Sequence, residues 1–132
     1  MNLTSFIRKY ADQIGGQYIA YDTDHSVIIV PVTSSRFQTV IGTVRENELY
    51  KRKLITLSSK ITDFNDGINL KPLLEQTTHF NYCRFKIEEN FLQIEAVASL
   101  DGIKEETLKE MIQEVANLAD QYELKLTGAD VH

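Results

Sequence analysis

The second half of the chain carries a hydrophobic pattern that is compatible with few folds. The apolar segment from Leu70 to Glu75 predicts a short helix. Two alternating segments, Asn81 to Ile87 and Phe91 to Leu100, flank the polar turn Glu88-Glu89-Asn90 and predict a β-hairpin. From Lys104 to Tyr122 the apolar residues recur at helical spacing, which predicts a long amphipathic helix.

The preceding part of the chain predicts one helix and two more hairpins. Apolar residues recur at helical spacing from Leu3 to Ile14. The segments Gln17 to Tyr21 and Val27 to Val32 form the first predicted hairpin, and Phe37 to Arg45 with Leu49 to Thr62 form the second. Short connections between strands favour antiparallel pairing, and strands that are segregated from helices are typical of α+β proteins.

The predicted fold is therefore a single α+β domain over residues 1–132, with the element order α-ββ-ββ-α-ββ-α. We expect a curved antiparallel sheet with flanking helices. The first and last helices should cover one face, and the short helix should lie near the other side of the sheet. A chain of this length can bury about two-thirds of its unfolded surface, so a substantial core is available.

Composition narrows the function classes. The net charge of -5 argues against nucleic acid or an anionic membrane as a partner of the whole molecule. Cys83 is the only cysteine, so no intramolecular disulfide can form. The first ten residues lack the apolar core of a signal peptide, and no apolar run approaches the roughly 20 residues of a membrane span. These features predict a cytoplasmic protein.

A family resemblance rests on two segments. The stretch Leu70-Lys71-Pro72-Leu73-Leu74 through Asn81-Tyr82-Cys83-Arg84-Phe85 resembles the middle of YbjN-type proteins. The stretch Ser99-Leu100-Asp101-Gly102-Ile103, followed by Glu105-Glu106-Thr107-Leu108, resembles their junction between hairpin and helix. The element order is also similar to that of bacterial type III secretion chaperones. The resemblance implies a chaperone-like homodimer without enzymatic activity, whose apolar grooves shield a protein client or effector segment.

One strand is apolar on both faces. A strand with one solvated face should alternate apolar and polar residues, but Val27 to Val32 does not. Each face of this strand therefore needs a cover. Helices would cover one face, and the short helix, a second subunit or a client would cover the other. The predicted partner or dimer surface on this strand is formed by Ile28, Val30 and Val32.

The short helix is the second candidate surface. Leu70, Leu73 and Leu74 place three large apolar residues in barely two turns. They are either ordinary core packing or, by resemblance to the secretion chaperones, a dimer interface. A two-fold interface needs a self-complementary patch, which leucines on a short helix can supply.

The only basic run supplies an alternative function. Lys51-Arg52-Lys53 either protects an exposed strand edge from aggregation or contacts an anion or nucleic acid. Tyr50 beside it could stack on a base. This alternative is an anion- or nucleic-acid-binding protein.

Groups capable of chemistry are not gathered in the sequence. Cys83 lies in a predicted strand and reads as a small hydrophobic residue. His25, His79 and His132 are far apart, and the aspartates near His25 are typical of turn chemistry. No metal-binding or phosphate-binding motif occurs. We therefore predict no catalytic, cofactor-binding or metal-binding residues, and an enzyme would require a polar pocket around His25 or His79.

Overall fold

The computed structural model describes residues 2–20, 22, 24–33 and 35–128. The chain runs through α1 (Leu3–Ile14), β1 (Gln17–Ala20), β2 (His25–Thr33), β3 (Arg36–Asn47), β4 (Arg52–Asp63), α2 (Leu70–Gln76), a 3-10 turn (Thr77–His79), β5 (Cys83–Glu88), β6 (Phe91–Ser99) and α3 (Glu105–Thr127). The predicted α+β class and element order are confirmed.

The six strands form one open antiparallel sheet in the order β1-β2-β3-β4-β6-β5. The three predicted hairpins are present, β2 and β3 pair as a fourth, and β6 rather than β5 pairs with β4. The sheet edges are therefore β1 and β5, and β4 is an interior strand. The pairing of β1 with β2 ends at the Gln17–Ile29 pair, so Pro31 has no partner position on β1. On its other side, Pro31 lies at an irregularity in the pairing of β2 with β3.

The first helix has a defined start and a sharp end. The side-chain Oδ1 of Asn2 accepts the backbone N–H of Ser5 at 3.0 Å. Gly15 ends the helix in the left-handed conformation, with a φ of 71°. A Cβ atom added at Gly16 would overlap the carbonyl oxygen of Ile29, so glycine at this position lets the chain turn closely against β2.

All three helices contribute to the core on one face of the sheet. Phe6 and Ile7 of α1 and Leu73 of α2 belong to one buried cluster, to which α3 contributes Leu108, Met111, Ile112, Val115, Ala116, Ala119 and Tyr122. At Gly42 of β3, an added Cβ would contact the side chain of Ile7 at 3.8 Å. The expectation that the short helix lies near the other side of the sheet is corrected, because Leu73 shares the core of α1 and α3.

The pairing of β3 with β4 covers only part of their length. The paired register runs from Asn47–Arg52 to Ile41–Ser58 and stops there, although β3 begins at Arg36 and β4 continues to Asp63. Beyond the last pair, the Ser59 hydroxyl donates to the carbonyl oxygen of Thr39 at 2.8 Å. The Ser59 side chain therefore joins β3 and β4 beyond their last paired residues.

Candidate functional site: the open face of the sheet

The face of the sheet that points away from the core has no helix over it in the part of the chain that the structure describes. We call it the open face. It carries three exposed large apolar side chains: Ile19 is 45% exposed, Phe37 48% and Ile41 36%. Exposed apolar side chains are common singly, but neighbouring ones on a sheet face are typical of an interaction surface.

Strand register brings these side chains together. Ile19 of β1 pairs with Val27 of β2, and Val27 pairs with Ile41 of β3. Val27 is only 7% exposed, although no helix covers it, because its two cross-strand neighbours flank it. We call Ile19, Val27, Ile29, Phe37 and Ile41 the apolar half of the open face.

The remainder of the open face is a polar groove of about 510 Å3 across β3, β4, β6 and β5. Its lining includes the apolar Ile41 and Val97, several threonines and serines, and seven charged side chains. The charged residues are Arg45, Lys60, Arg84, Lys86, Glu88, Glu89 and Glu95. The groove is therefore suited to binding a polar chain rather than an apolar small molecule.

Glu95 organises the charges at the β5–β6 side of the groove. It lies opposite Arg84 in the pairing of β5 with β6, and its Oε1 forms an ion pair with Arg84 Nη2 at 2.9 Å. Lys86 Nζ lies 2.8 Å from its other carboxylate oxygen. Burial favours the neutral acid, but Lys86 and Arg84 outweigh it and hold the pKa of Glu95 below its usual range. Glu95 is thus ionised, and its carboxylate is paired with two cationic side chains.

Two cations on the opposite side of the groove differ from these. Lys60 Nζ lies 4.0 Å from the centre of the Phe91 ring, a cation–π contact. Arg45 projects from β3. Among the described residues, neither Arg45 nor Lys60 has a carboxylate within ion-pair distance. Both charges therefore remain available to a bound anion.

The structure divides the predicted partner surface. On β2, Ile28 and Val30 are in the core at 1% and 0% exposure, and Val32 is half-buried against it. These residues lie on the helix-covered face, so a partner of the folded chain does not reach Ile28 or Val30. The face of β2 without a helix is the opposite one, with Val27, Ile29 and Pro31.

The leucines of α2 are divided as well. Leu73 is buried in the core, and Leu70 is half-buried against it. Leu74 is 57% exposed. Only Leu74 therefore offers most of its side chain to a partner.

The basic run lies at the end of the β3–β4 hairpin. Lys51 is in the turn with a φ of 53°, and Arg52 and Lys53 begin β4. All three are exposed. The pairing of β4 with β6 begins at Leu54, so Arg52 and Lys53 precede the part of β4 that is paired on both sides, and protection of an exposed strand edge stays a prediction.

Reactive groups are held in structural roles. Cys83 is buried, and burial, followed by the neighbouring Glu114, raises the pKa of its thiol far above the usual range. Asp22 accepts the backbone N–H groups of Asp24 and His25, each at 2.8 Å, and a side-chain hydrogen bond from His25 is the largest cause of its lowered pKa. His132 lies outside the described residues. The described ranges contain no group of three or more histidine, cysteine or acidic side chains suited to a metal ion, and none of their helices is long and apolar enough to cross a membrane.

These features define a class of architecture: α+β, with a six-stranded open antiparallel sheet and three helices in the described chain. Among solved structures, a chain in the crystal structure of the ExsC-ExsE complex is similar, with a TM-score of 0.63, 16% sequence identity and 96% of each chain covered. At this identity the likeness shows the fold alone. No family model and no curated protein sequence matches the chain.

Proposed function

We propose that this chain is a non-enzymatic, chaperone-like module of one cytoplasmic domain that binds a segment of a client protein on the open face of its sheet. The observation that carries the proposal is the apolar half of that face, where three large side chains are exposed without helix cover. The similar fold in the ExsC-ExsE complex, a structure of two associated proteins, supports protein binding. The proposal includes a relationship to YbjN-type proteins, which rests on the residue-level likeness of the chain from about Leu70 onward.

The free energy available from burial of apolar surface indicates that the apolar half alone would bind a client weakly. Ile19, Phe37 and Ile41 are partly exposed, so covering each contributes roughly 2 kcal/mol, or about 6 kcal/mol together, at about 25 cal/mol per Å2 of apolar surface. Association costs at least about 4 kcal/mol in lost translational and rotational freedom. The polar groove beside the apolar half must therefore supply further contacts, and a client should span both regions.

The test begins with affinity capture from the native cytoplasm and purification of the captured chain. Its affinity is then measured by calorimetry for the wild type and for Ile19→Lys, which places a charge in the apolar half of the open face, outside the polar groove. We expect binding to weaken about tenfold or more, since the buried charge must be desolvated. Leu49→Lys is the matched control, because Leu49 is 80% exposed at the β3–β4 turn, away from the open face. Equal affinity of Ile19→Lys and wild type would contradict the proposal.

We also propose that the module is a homodimer joined through α2. Leu74 is largely exposed, and Leu70 lies half-buried one turn before it. Leu73 fixes the helix to the core beneath them. A two-fold axis beside α2 would place Leu74 of each copy against the same patch of the other.

The basic run supports a second candidate function, the binding of an anion or nucleic acid. Lys51, Arg52 and Lys53 are exposed at one hairpin end, and Tyr50 beside them is 68% exposed. Binding of this kind would weaken steeply with added salt, because bound counterions are released. Titration of a single-stranded oligonucleotide at two salt concentrations tests it, with Arg52→Gln as the variant, and salt-insensitive or undetectable binding rejects it.

A further inference from the structure

Arg45 and Lys60 lie on the open face at two levels of the β3–β4 pair. Ile41 and Ser58 are directly paired, which places their side chains at one level of the groove. Arg45 is four residues from Ile41 along β3, and Lys60 is two residues from Ser58 along β4 in the opposite direction. The two cations are therefore separated by six residue lengths along the strands, about 20 Å at roughly 3.4 Å per residue.

The charge balance of this region is opposite to that of the chain. The whole chain has a net charge of -5. The groove has four cations and three carboxylates, and two of the carboxylates, Glu88 and Glu89, lie at the end of the β5–β6 hairpin. The third, Glu95, is already paired with Arg84 and Lys86. Charges farther than about 8 Å are largely screened at physiological salt, so a ligand beside β3 and β4 meets the two available cations.

The spacing of the cations favours an extended peptide. Successive side chains of an extended chain point to opposite sides, so residues separated by an even number face the same way. Two acidic residues six apart would both face the sheet, with a reach that matches the separation of Arg45 and Lys60. The two side chains between them on that side would lie over the Thr43–Thr56 and Ile41–Ser58 pairs, where small or β-branched residues fit a surface of threonine, serine and isoleucine.

We propose that the groove recognises an extended acidic segment, with one carboxylate at Arg45, a second at Lys60 six residues away, and small or β-branched residues between them on the same side. This inference rests on the proposed function and specifies the chemistry of the client. Arg45 can hold its carboxylate through two parallel hydrogen bonds, whereas Lys60 acts as a single charge beside the Phe91 ring.

The probe is a fluorescent nine-residue peptide, Ser-Glu-Ser-Val-Ser-Val-Ser-Glu-Ser, whose palindromic order makes the direction of binding irrelevant. Its first control has the second glutamate moved by one residue, which turns that carboxylate to the other side. Its second control has glutamine at both acidic positions. Fluorescence anisotropy should show the probe binding about tenfold more tightly than either control, with affinity falling as salt is raised. Equal binding of the shifted peptide, or no binding at millimolar concentration, overturns the inference.

Variants of the protein complete the test. Arg45→Gln and Lys60→Gln should each weaken binding of the probe about tenfold, because each removes one charge-assisted contact. Lys9→Gln is the matched control, since Lys9 is an exposed cation of α1, on the helix-covered side of the sheet and outside the groove. Equal urea midpoints of the variants and the wild type would show that the fold is intact. Unchanged binding of the probe by both groove variants contradicts the inference.

The same variants separate this inference from the proposed function. If Ile19→Lys weakens binding of the captured client and the two groove variants do not, the acidic segment is rejected and client binding on the open face stands. If the groove variants weaken binding of the client and Ile19→Lys does not, the role of the apolar half is rejected instead.

Discussion

Arg36 and Asp120 are 84 residues apart in sequence and are joined by two parallel hydrogen bonds, Nε to Oδ1 at 3.0 Å and Nη2 to Oδ2 at 2.9 Å. Arg36 begins β3, and Asp120 lies in the C-terminal half of α3. The Asp120 side chain is almost fully buried, whereas that of Arg36 is about a third exposed. The pair therefore fixes the later turns of α3 to the end of the β2–β3 hairpin.

We expect Asp120→Asn to lower the free energy of unfolding by about 2 kcal/mol. Loss of one partner of a buried ion pair costs about 3–5 kcal/mol, but water can reach part of the Arg36 guanidinium and reduce that cost. Urea denaturation measures the change. A double-mutant cycle with Arg36→Met is the control, and the double variant should lose less stability than the two single losses added together. Strict additivity would show that the two side chains are not coupled.

Glu114 gives stability that depends on pH. Its carboxylate accepts the backbone N–H groups of Asn81, Tyr82 and Cys83 at 3.0, 2.8 and 3.0 Å, which anchors the start of β5 to α3. Partial burial favours the neutral acid, but these hydrogen bonds outweigh it and lower the pKa of Glu114 from its ordinary 4.5. The group therefore stabilises the fold fully above that value, and this contribution is lost as the pH falls through the lower pKa of the folded state.

Glu114→Gln should reduce the free energy of unfolding at pH 7 by about 1 kcal/mol, because the carboxylate is partly exposed and its hydrogen bonds are screened. Its stability should also decline less steeply than that of the wild type below pH 4.5. Urea midpoints from pH 3 to 7 test both expectations, with Glu48→Gln in an exposed turn as the control. Parallel pH profiles for Glu114→Gln and the wild type would refute the assignment.

Two adjacent glycines should respond differently to the same substitution. Gly15→Ala should cost about 1 kcal/mol, because Gly15 has a φ of 71° but an added Cβ meets no neighbouring atom. Gly16→Ala should cost roughly 3 kcal/mol, because the added Cβ overlaps the backbone of Ile29 and one strand must move. Urea denaturation of the two variants provides the comparison. A smaller loss at Gly16 than at Gly15 would contradict the close approach of the chain to β2.

The proposed dimer makes a prediction for Leu74. Leu74→Asp should convert the dimer to a monomer without unfolding it, because this side chain is mostly exposed in the single chain. Sedimentation velocity at micromolar concentration measures the mass, and circular dichroism checks the fold. Leu49→Asp is the control for an exposed leucine elsewhere. A wild-type protein that sediments as a single 15.1 kDa chain would eliminate the dimer.

The helices could be predicted from sequence because their signals are local. Asn2 and Gly15 bracket α1, and the apolar stripe of α3 repeats at a single spacing over many turns. The sequence expectation ended α3 at Tyr122, whereas the helix continues to Thr127. Leu126 lies four residues after Tyr122 and continues the apolar spacing into this last turn, although its side chain is exposed.

The candidate site was harder to predict because it depends on which strands become neighbours. On β2, Val27 and Ile28 are equally apolar, and alternation alone does not say which of them faces the helices. The charges of the groove come from hairpins that are distant in sequence, and the β5–β6 hairpin could have docked on β4 through either strand. Only the observed pairing of β4 with β6 places Glu95 and Arg84 in the same groove as Arg45. No local pattern encodes that choice.

The two edge strands of the sheet are short, and this limits the aggregation that an uncovered sheet face would otherwise favour. β1 has four residues and β5 has six, and β5 carries Arg84 and Lys86. Short or charged edge strands offer few unpaired backbone groups to a strand of another molecule, so sheets do not readily pair edge to edge into fibrils. The exposed apolar face can therefore remain available to a client, because the short edge strands give little opportunity for one sheet to add to another.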